Sequence, residues 1–237
     1  MKSLFLWKKV IYTDISLFYE ERGQGEALLL LHGNGESHAY FEHQLSHFAD
    51  RYRVIAPDTR GHGRSPRGCG EFSIRRFSED LHDFMRDLGI QSAHLLGFSD
   101  GGNIALEFAL RHPDMVKSLI LNGANLYPRG MKFSVRLPIG IEYRLNRFFG
   151  DDKDKAELLG LMVNEPQIAA ETLTKLTMPV LVIAGTRDMI RKKHTELIAR
   201  SLPNAKLVFL PGSHFVAQEN PEAFNRAVDE FLSSNGI

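Results

Sequence analysis

The sequence predicts an α/β protein with a mostly parallel central sheet and helices on both faces. Short apolar runs alternate along the chain with longer segments of helical period, which is typical of a parallel sheet covered by helices. The run at 27–31 is continuously apolar, as expected for a strand that is covered on both sides. The 237 residues suffice for one domain, 1–237, that buries a core without disulfides or metals.

The apolar runs place the strands in order. Strands are predicted at 10–13, 15–22, 27–31, 54–56, 93–96, 119–121, 180–184 and 207–210, the first two as a candidate hairpin. Apolar residues three and four apart predict a helix over 74–88 with Ser73 as its N-cap, and another after Ser99. The last helix begins at Pro221, with Phe224, Val228 and Phe231 on its inner face.

The alternation is interrupted once, between about 124 and 177, where no strand-like run occurs. We interpret this segment as a helical insertion, in which apolar residues recur at helical spacing: Ile141, Leu145, Phe148, Phe149, then Leu159, Met162, Val163. Its first half is basic and its second acidic: Arg129, Lys132, Arg136, Arg144, Arg147, then Asp151, Asp152, Asp154, Glu157. The basic half could attract acidic substrates, but a solvated helix face is the commoner explanation.

Composition and charge exclude several classes of partner. Lys+Arg and Asp+Glu both total 29, so no net field favours nucleic acid or an anionic membrane as a partner. The single cysteine, Cys69, suits a reducing compartment, and no stretch is a signal peptide or a membrane span. We therefore expect a cytoplasmic protein that acts on a small molecule. No motif implies a metal or another cofactor, and the oligomeric state is unknown from the sequence.

One motif indicates the chemistry of the protein. The run Gly97-Phe98-Ser99-Asp100-Gly101 matches G-x-S-x-G. It directly follows a predicted strand and directly precedes a predicted helix, which is the context of a nucleophile on a sharp strand-to-helix turn. Ser99 is therefore the predicted nucleophile. The alternative is that Ser99 only caps the helix.

A serine nucleophile needs a base and an acid that orients the base. With a nucleophile on such a turn, the chain order is Ser, then Asp or Glu, then His, each after a strand. Asp188 follows the strand at 180–184, and His214 follows the last predicted strand. The competitor for the acid is Asp58, which also ends a strand but precedes the nucleophile. We interpret Asp58 as part of a hydrogen-bonded structural turn.

Two backbone N–H groups are expected to form an oxyanion hole. One is the N–H of Asp100, directly after the nucleophile. The other comes from the run His32-Gly33-Asn34-Gly35 after the third predicted strand, with the N–H of Asn34 preferred over that of Gly35.

Together, these motifs resemble the α/β-hydrolase superfamily over nearly the whole chain except the insertion. The motifs are Leu31-His32-Gly33-Asn34-Gly35, Asp58-Thr59-Arg60-Gly61-His62-Gly63-Arg64-Ser65, Gly97-Phe98-Ser99-Asp100-Gly101-Gly102 and Gly212-Ser213-His214-Phe215. The resemblance implies that the insertion is a short lid over the active site. Within the superfamily, the Ser99-Asp100-Gly101-Gly102 run and the segment 122–127 are similar to the valacyclovir-hydrolase group. That likeness implies that the Asp100 carboxylate binds the ammonium group of an α-amino-acid ester.

The predicted function is a serine hydrolase that cleaves a small carboxylic ester, an α-amino-acid ester or a thioester through an acyl-enzyme on Ser99. A carbon–carbon bond hydrolase with the same triad remains an alternative. A non-catalytic ligand-binding protein of this fold is a second alternative, from a different class.

Overall fold

The computed structural model describes residues 8–11, 15–150 and 152–236. Its sheet has the strand order β1-β2-β4-β3-β5-β6-β7-β8. The strands are β1 Lys8–Ile11, β2 Ser16–Arg22, β3 Glu26–Leu31, β4 Tyr52–Pro57, β5 Ala93–Phe98, β6 Val116–Asn122, β7 Val180–Gly185 and β8 Ala205–Leu210. β2 pairs antiparallel with β1 and with β4, and the other neighbours are parallel.

Helices cover both faces of this sheet. They are α1 Glu42–Phe48, α2 Ile74–Asp87, α3 Asp100–Arg111, α4 Phe133–Phe149, α5 Lys153–Asn164, α6 Lys192–Ser201, α7 Val216–Glu219 and α8 Pro221–Ser234. Successive strand side chains alternate between two cores. Leu29 and Leu31 pack in the core under α2, α3 and α6, whereas Leu28 and Leu30 pack in the core under α1, α7 and α8. The predicted fold class is therefore confirmed.

Each strand that the sequence predicts is present, although residues 12–14, where part of the first prediction falls, lie outside the described residues. The predicted hairpin is the antiparallel pair of β1 and β2. Ser73 caps α2, because its Oγ accepts a hydrogen bond from the Arg76 N–H at 3.2 Å. Hydrophobic periodicity does not predict α1 or α6, which are short and present few large apolar side chains to the core.

The segment between β6 and β7 is helical, as predicted. It contains a 3₁₀ turn at Pro128–Gly130, then α4 and α5, and a second 3₁₀ segment at Ala170–Lys175. α4 has no buried residue, and α5 buries only Leu161. That this insertion is a lid stays a prediction. Over the described ranges, no helix combines the length and the apolar character needed to cross a membrane.

Candidate active site

The turn between β5 and α3 holds Ser99 in a backbone conformation that is rare for any residue but glycine. Ser99 has φ 52° and ψ −118°, and no other non-glycine residue in the described ranges has a positive φ. Such strain persists only where the surroundings enforce it. Here, the Ser99 N–H donates to the Asn122 carbonyl on β6 at 2.8 Å. A Cβ at Gly101 would overlap the Leu31 carbonyl of β3, so this motif position has room only for glycine.

The side chains of Ser99, His214 and Asp188 form one hydrogen-bonded chain. The Ser99 Oγ lies 3.0 Å from His214 Nε2, and His214 Nδ1 lies 2.7 Å from Asp188 Oδ1. The Ser99 side chain makes no capping bond to α3, although the residue stands at the N-cap position. The geometry therefore matches the nucleophile–base–acid arrangement and does not match the helix-cap alternative.

The ends of two parallel strands bring His214 and Asp188 to this point. Asp188 lies in a turn just after β7, where its N–H donates to the Gly185 carbonyl at 3.1 Å. Its Oδ1 also accepts from the Ile190 N–H at 2.8 Å, which fixes the carboxylate beside the imidazole. His214 follows β8, and both side chains are buried, at 4% and 5% exposure for Asp188 and His214. Water is thus largely excluded from the acid–base contact.

Asp58 occupies a different place. Its Oδ1 accepts from the His38 N–H and contacts His38 Nδ1, each at 2.8 Å, and its Oδ2 accepts from the Arg64 N–H at 2.9 Å. The hydrogen bond to Asp58 raises the pKa of His38. Burial alone would raise the pKa of Asp58, but the hydrogen bonds from His38 and Arg64 outweigh it and lower that pKa. The contacts of Asp58 are those of a structural turn.

The loop after β3 approaches Ser99 closely. A Cβ at Gly33 would lie 2.9 Å from the Phe98 ring and 3.1 Å from the Ser99 Cβ, so only glycine lets the loop come this near. Within the described residues, the backbone N–H groups of Asn34 and Asp100 have no acceptor. Both are therefore available as donors to an oxygen beside Ser99.

The Asn34 side chain connects three parts of the molecule, a role that its local sequence does not reveal. Its Nδ2 donates to Asp100 Oδ2 at 3.1 Å and to the Leu158 carbonyl of α5 at 2.9 Å. Asn103 Nδ2 donates to the other oxygen, Asp100 Oδ1, at 3.0 Å, and to Asn125 Oδ1 at 3.2 Å. Burial raises the pKa of Asp100 although both amides favour its charged form. These amides join the loop after β3, the turn at Ser99 and the insertion.

One histidine of α6 is buried: only 3% of His194 is exposed. Its Nε2 accepts from the Leu126 N–H at 3.0 Å, and the Tyr127 ring packs against its own in an edge-on contact. Burial lowers the pKa of His194 to about 4. The neutral ring ties α6 to the start of the insertion, a contact that local sequence around position 194 does not reveal.

No cluster of three or more His, Cys, Asp or Glu side chains arranged for a metal ion occurs in the described part of the chain. The only cysteine, Cys69, is exposed.

The fold and this arrangement of side chains define a class of protein: the chain has the α/β-hydrolase fold and is similar to the hydrolases of that fold. Residues 26–133 match the model of the alpha/beta hydrolase fold family. Serine hydrolase BPHL of Mus musculus is 28% identical over 248 residues, which cover 94% of this chain and 85% of that protein. 3-oxoadipate enol-lactonase 2 of Acinetobacter baylyi is 27% identical over 250 residues, which cover 92% of this chain and 94% of that protein.

Solved structures agree on the fold. A thermophilic esterase from Thermogutta terrifontis superposes with a TM-score of 0.83 at 24% identity, over 97% of this chain and 98% of that one. The meta-cleavage product hydrolase of Pseudomonas fluorescens IP01 gives a TM-score of 0.81 at 22% identity, over 96% and 98% of the two chains. The BPHL match also confirms the predicted resemblance to the valacyclovir-hydrolase group.

Proposed function

We propose that this protein is a serine esterase that cleaves small carboxylic esters through an acyl-enzyme on Ser99. The observation that carries the proposal is the unbroken chain of contacts from Ser99 Oγ through the His214 ring to Asp188, at 3.0 and 2.7 Å. A serine hydroxyl becomes a nucleophile when a neighbouring base accepts its proton, and this is the arrangement that does so.

The reaction then runs in two halves. Ser99 Oγ attacks the ester carbonyl while its proton passes to His214 Nε2, and the negative Asp188 carboxylate stabilises the resulting imidazolium. The imidazolium returns the proton to the departing alcohol, which leaves the acyl group on Ser99. Water then gives its proton to His214 and its oxygen to the acyl carbon. The acid leaves, and Ser99 Oγ regains a proton.

The charge that develops on the carbonyl oxygen is held by the N–H groups of Asn34 and Asp100. Both are without acceptors among the described residues and flank the Ser99 turn. Asp100 is the first residue of α3, where the helix dipole adds to the positive potential. By precedent, one such donor contributes about 3–4 kcal/mol to the stabilisation of the transition state.

The contacts of Asp100 bear on the substrate. Each oxygen of its carboxylate already accepts an amide hydrogen bond, from Asn34 and from Asn103, and the residue is 8% exposed. The two amides and the low exposure leave little of the carboxylate open to a substrate ammonium group. We therefore propose that esters of simple acids are better substrates than α-amino-acid esters. The names of the relatives, an esterase and an enol-lactonase among them, also support an ester or lactone carbonyl as the target.

A substrate panel tests this proposal. Wild-type protein is assayed with p-nitrophenyl acetate, an α-amino-acid ester, an acyl thioester and a vinylogous 1,5-diketone that reports carbon–carbon cleavage. The Ser99→Ala variant removes the proposed nucleophile. The Ser65→Ala variant is the control, because Ser65 contacts the structural turn rather than the triad: its Oγ donates to the Asp58 carbonyl at 2.7 Å.

We expect the simple ester to be turned over fastest, with activity lost in Ser99→Ala and retained in Ser65→Ala. Faster cleavage of the diketone than of any ester would replace the proposal with a carbon–carbon hydrolase. Binding of these compounds without turnover by folded protein would replace it with a ligand-binding role.

A further inference from the structure

One face of α4 is apolar and open to solvent. Seven large apolar side chains are exposed in the described ranges, and all but Phe215 are on this helix. The six are Phe133, Leu137, Ile141, Leu145, Phe148 and Phe149, at 47 to 84% exposure, and we call them the α4 stripe. With 3.6 residues per turn, their spacing puts them on one side of the helix. A contiguous exposed apolar patch of this kind marks an interaction surface.

The rest of the protein packs against the opposite side of α4. The half-buried positions of the helix include Val135, Ile139 and Tyr143, which alternate with the α4 stripe. Tyr143 lies against α5, where a Cβ at Gly160 would be 3.4 Å from its ring. The stripe therefore points away from α5, the helix on which α4 packs, and lacks a partner within the described chain.

The surroundings of the α4 stripe are basic. Cations on α4 and the turn before it are Arg129, Lys132, Arg136, Arg144 and Arg147, of which all but the half-buried Arg136 are exposed. The only acid on α4, Glu142, is paired with Lys155 of α5 at 2.7 Å. None of the five cations forms an ion pair with a described residue. Apolar side chains beside unpaired cations form a surface that complements an anionic, apolar partner.

We propose that α4 docks on the surface of an anionic lipid bilayer, with the α4 stripe inserted below the headgroups and the arginines in contact with them. A bilayer supplies both components at once, negative headgroups and an apolar layer beneath them. A second copy of this chain fits less well, because pairing two identical stripes would gather the basic side chains that flank both of them around one interface. At 17 residues, α4 is about 25 Å long and lies in the interface rather than spanning it.

The balanced net charge of the sequence predicts no membrane partner, and the proposed docking site differs from that expectation. Totals of 29 cations and 29 anions conceal a local excess on α4, because the nearest acids of the insertion, Asp152, Asp154 and Glu157, lie on or beside α5, which packs on the side of α4 opposite the α4 stripe. The docking site is distinct from the Ser99 site and does not depend on its chemistry.

Vesicle co-sedimentation tests the proposal. Full-length protein is mixed with vesicles of phosphatidylcholine alone, or of phosphatidylcholine with about a third phosphatidylserine. Two variants remove the proposed contacts: Arg144→Glu, and the double variant L137Q/I141Q. The matched controls are Arg86→Glu, which reverses an exposed arginine on α2, and L137M/I141M, which keeps the stripe apolar. Turnover of soluble p-nitrophenyl acetate and the elution volume in size-exclusion chromatography are measured for each variant.

We expect binding to the anionic vesicles only, weakened by added salt. Arg144→Glu should lower the partition coefficient about 25-fold, because each charge near an anionic surface changes it about fivefold and this variant changes two. L137Q/I141Q should lower it at least tenfold, and both controls should bind like wild type.

Three results would overturn the proposal. The first is a failure of wild-type protein to sediment with the anionic vesicles. The second is a concentration-dependent dimer that L137Q/I141Q dissociates, since this would make a second copy the occupant. The third is an increase in KM for the soluble ester in L137Q/I141Q with vesicle binding unchanged, which would make the α4 stripe a substrate-binding wall.

Discussion

Replacing Asp188 by asparagine should lower kcat for an ester by between about 10²- and 10⁴-fold. The structure explains the width of this range. Asp188 Oδ1 accepts both from His214 Nδ1 and from the Ile190 N–H, whereas Oδ2 has no hydrogen-bond partner among the described residues. An asparagine that keeps its oxygen at the Oδ1 position preserves both bonds. It loses only the negative charge that stabilises the imidazolium.

The other orientation of the asparagine costs more. If its amide NH₂ faces His214, the ring must present an unprotonated Nδ1, so Nε2 carries the proton and cannot accept another from Ser99. That orientation corresponds to the upper end of the range and also breaks the bond to Ile190. The measurement is kcat and KM with p-nitrophenyl acetate, in wild type and in Asp188→Asn. KM should change little, because the acid does not contact the ester.

Asp58→Asn is the control for this prediction. Asp58 bonds to His38 and Arg64, so its replacement should reduce the free energy of unfolding by about 1–3 kcal/mol and leave kcat within about threefold of wild type. A kcat loss in Asp58→Asn as large as that in Asp188→Asn would refute the reasoning, as would wild-type kcat in Asp188→Asn.

Two further predictions concern the amide network and a buried histidine. In Asn34→Ala, Asp100 and the Leu158 carbonyl lose a hydrogen-bond donor, so the free energy of unfolding measured by urea titration should fall by about 1–2 kcal/mol. The kcat should fall about tenfold or more, because the loop after β3 loses its anchor. Wild-type values for both quantities would contradict the role of the amide network. His194 has a pKa of about 4 when folded and about 6.5 when unfolded, so its contribution to stability is lost as pH falls from about 6.5 to about 4. Between pH 7 and pH 5, the free energy of unfolding of the wild type should fall by about 1–2 kcal/mol through this group. The fall should be correspondingly smaller in His194→Gln. An equal pH dependence of the free energy of unfolding in both proteins would exclude the effect.

Much of the fold could be predicted because its strands are continuous apolar runs. Leu28, Leu29 and Leu30 are fully buried, as a strand covered on both sides requires. Helix α6 was missed because the residues it buries are Ile198 with two polar ones, His194 and Thr195, a pattern that hydrophobic periodicity does not detect. The outward direction of the α4 stripe was also hidden, since spacing shows that residues share a face but not what that face contacts.

The candidate site also contains residues that the sequence predicts and one whose role it does not. Ser99, Asp188 and His214 could be picked out because each follows a predicted strand, and the carboxyl ends of parallel strands meet at one edge of a sheet. The role of the Asn34 amide could not, because its partners Asp100 and Leu158 are 66 and 124 residues away in the chain. Such contacts depend on how the insertion packs on the loop after β3, and a local motif does not determine that packing.

Labelling with a fluorophosphonate tests most directly whether His214 activates Ser99. Intact-mass and peptide mass spectrometry would be applied to wild type, Ser99→Ala and His214→Ala after equal exposure to the probe. We predict one phosphonyl group per wild-type chain, located on Ser99, with none on Ser99→Ala and greatly slowed labelling of His214→Ala. Unlabelled, folded wild-type protein, or labelling of Ser99 at the same rate without His214, would contradict this prediction.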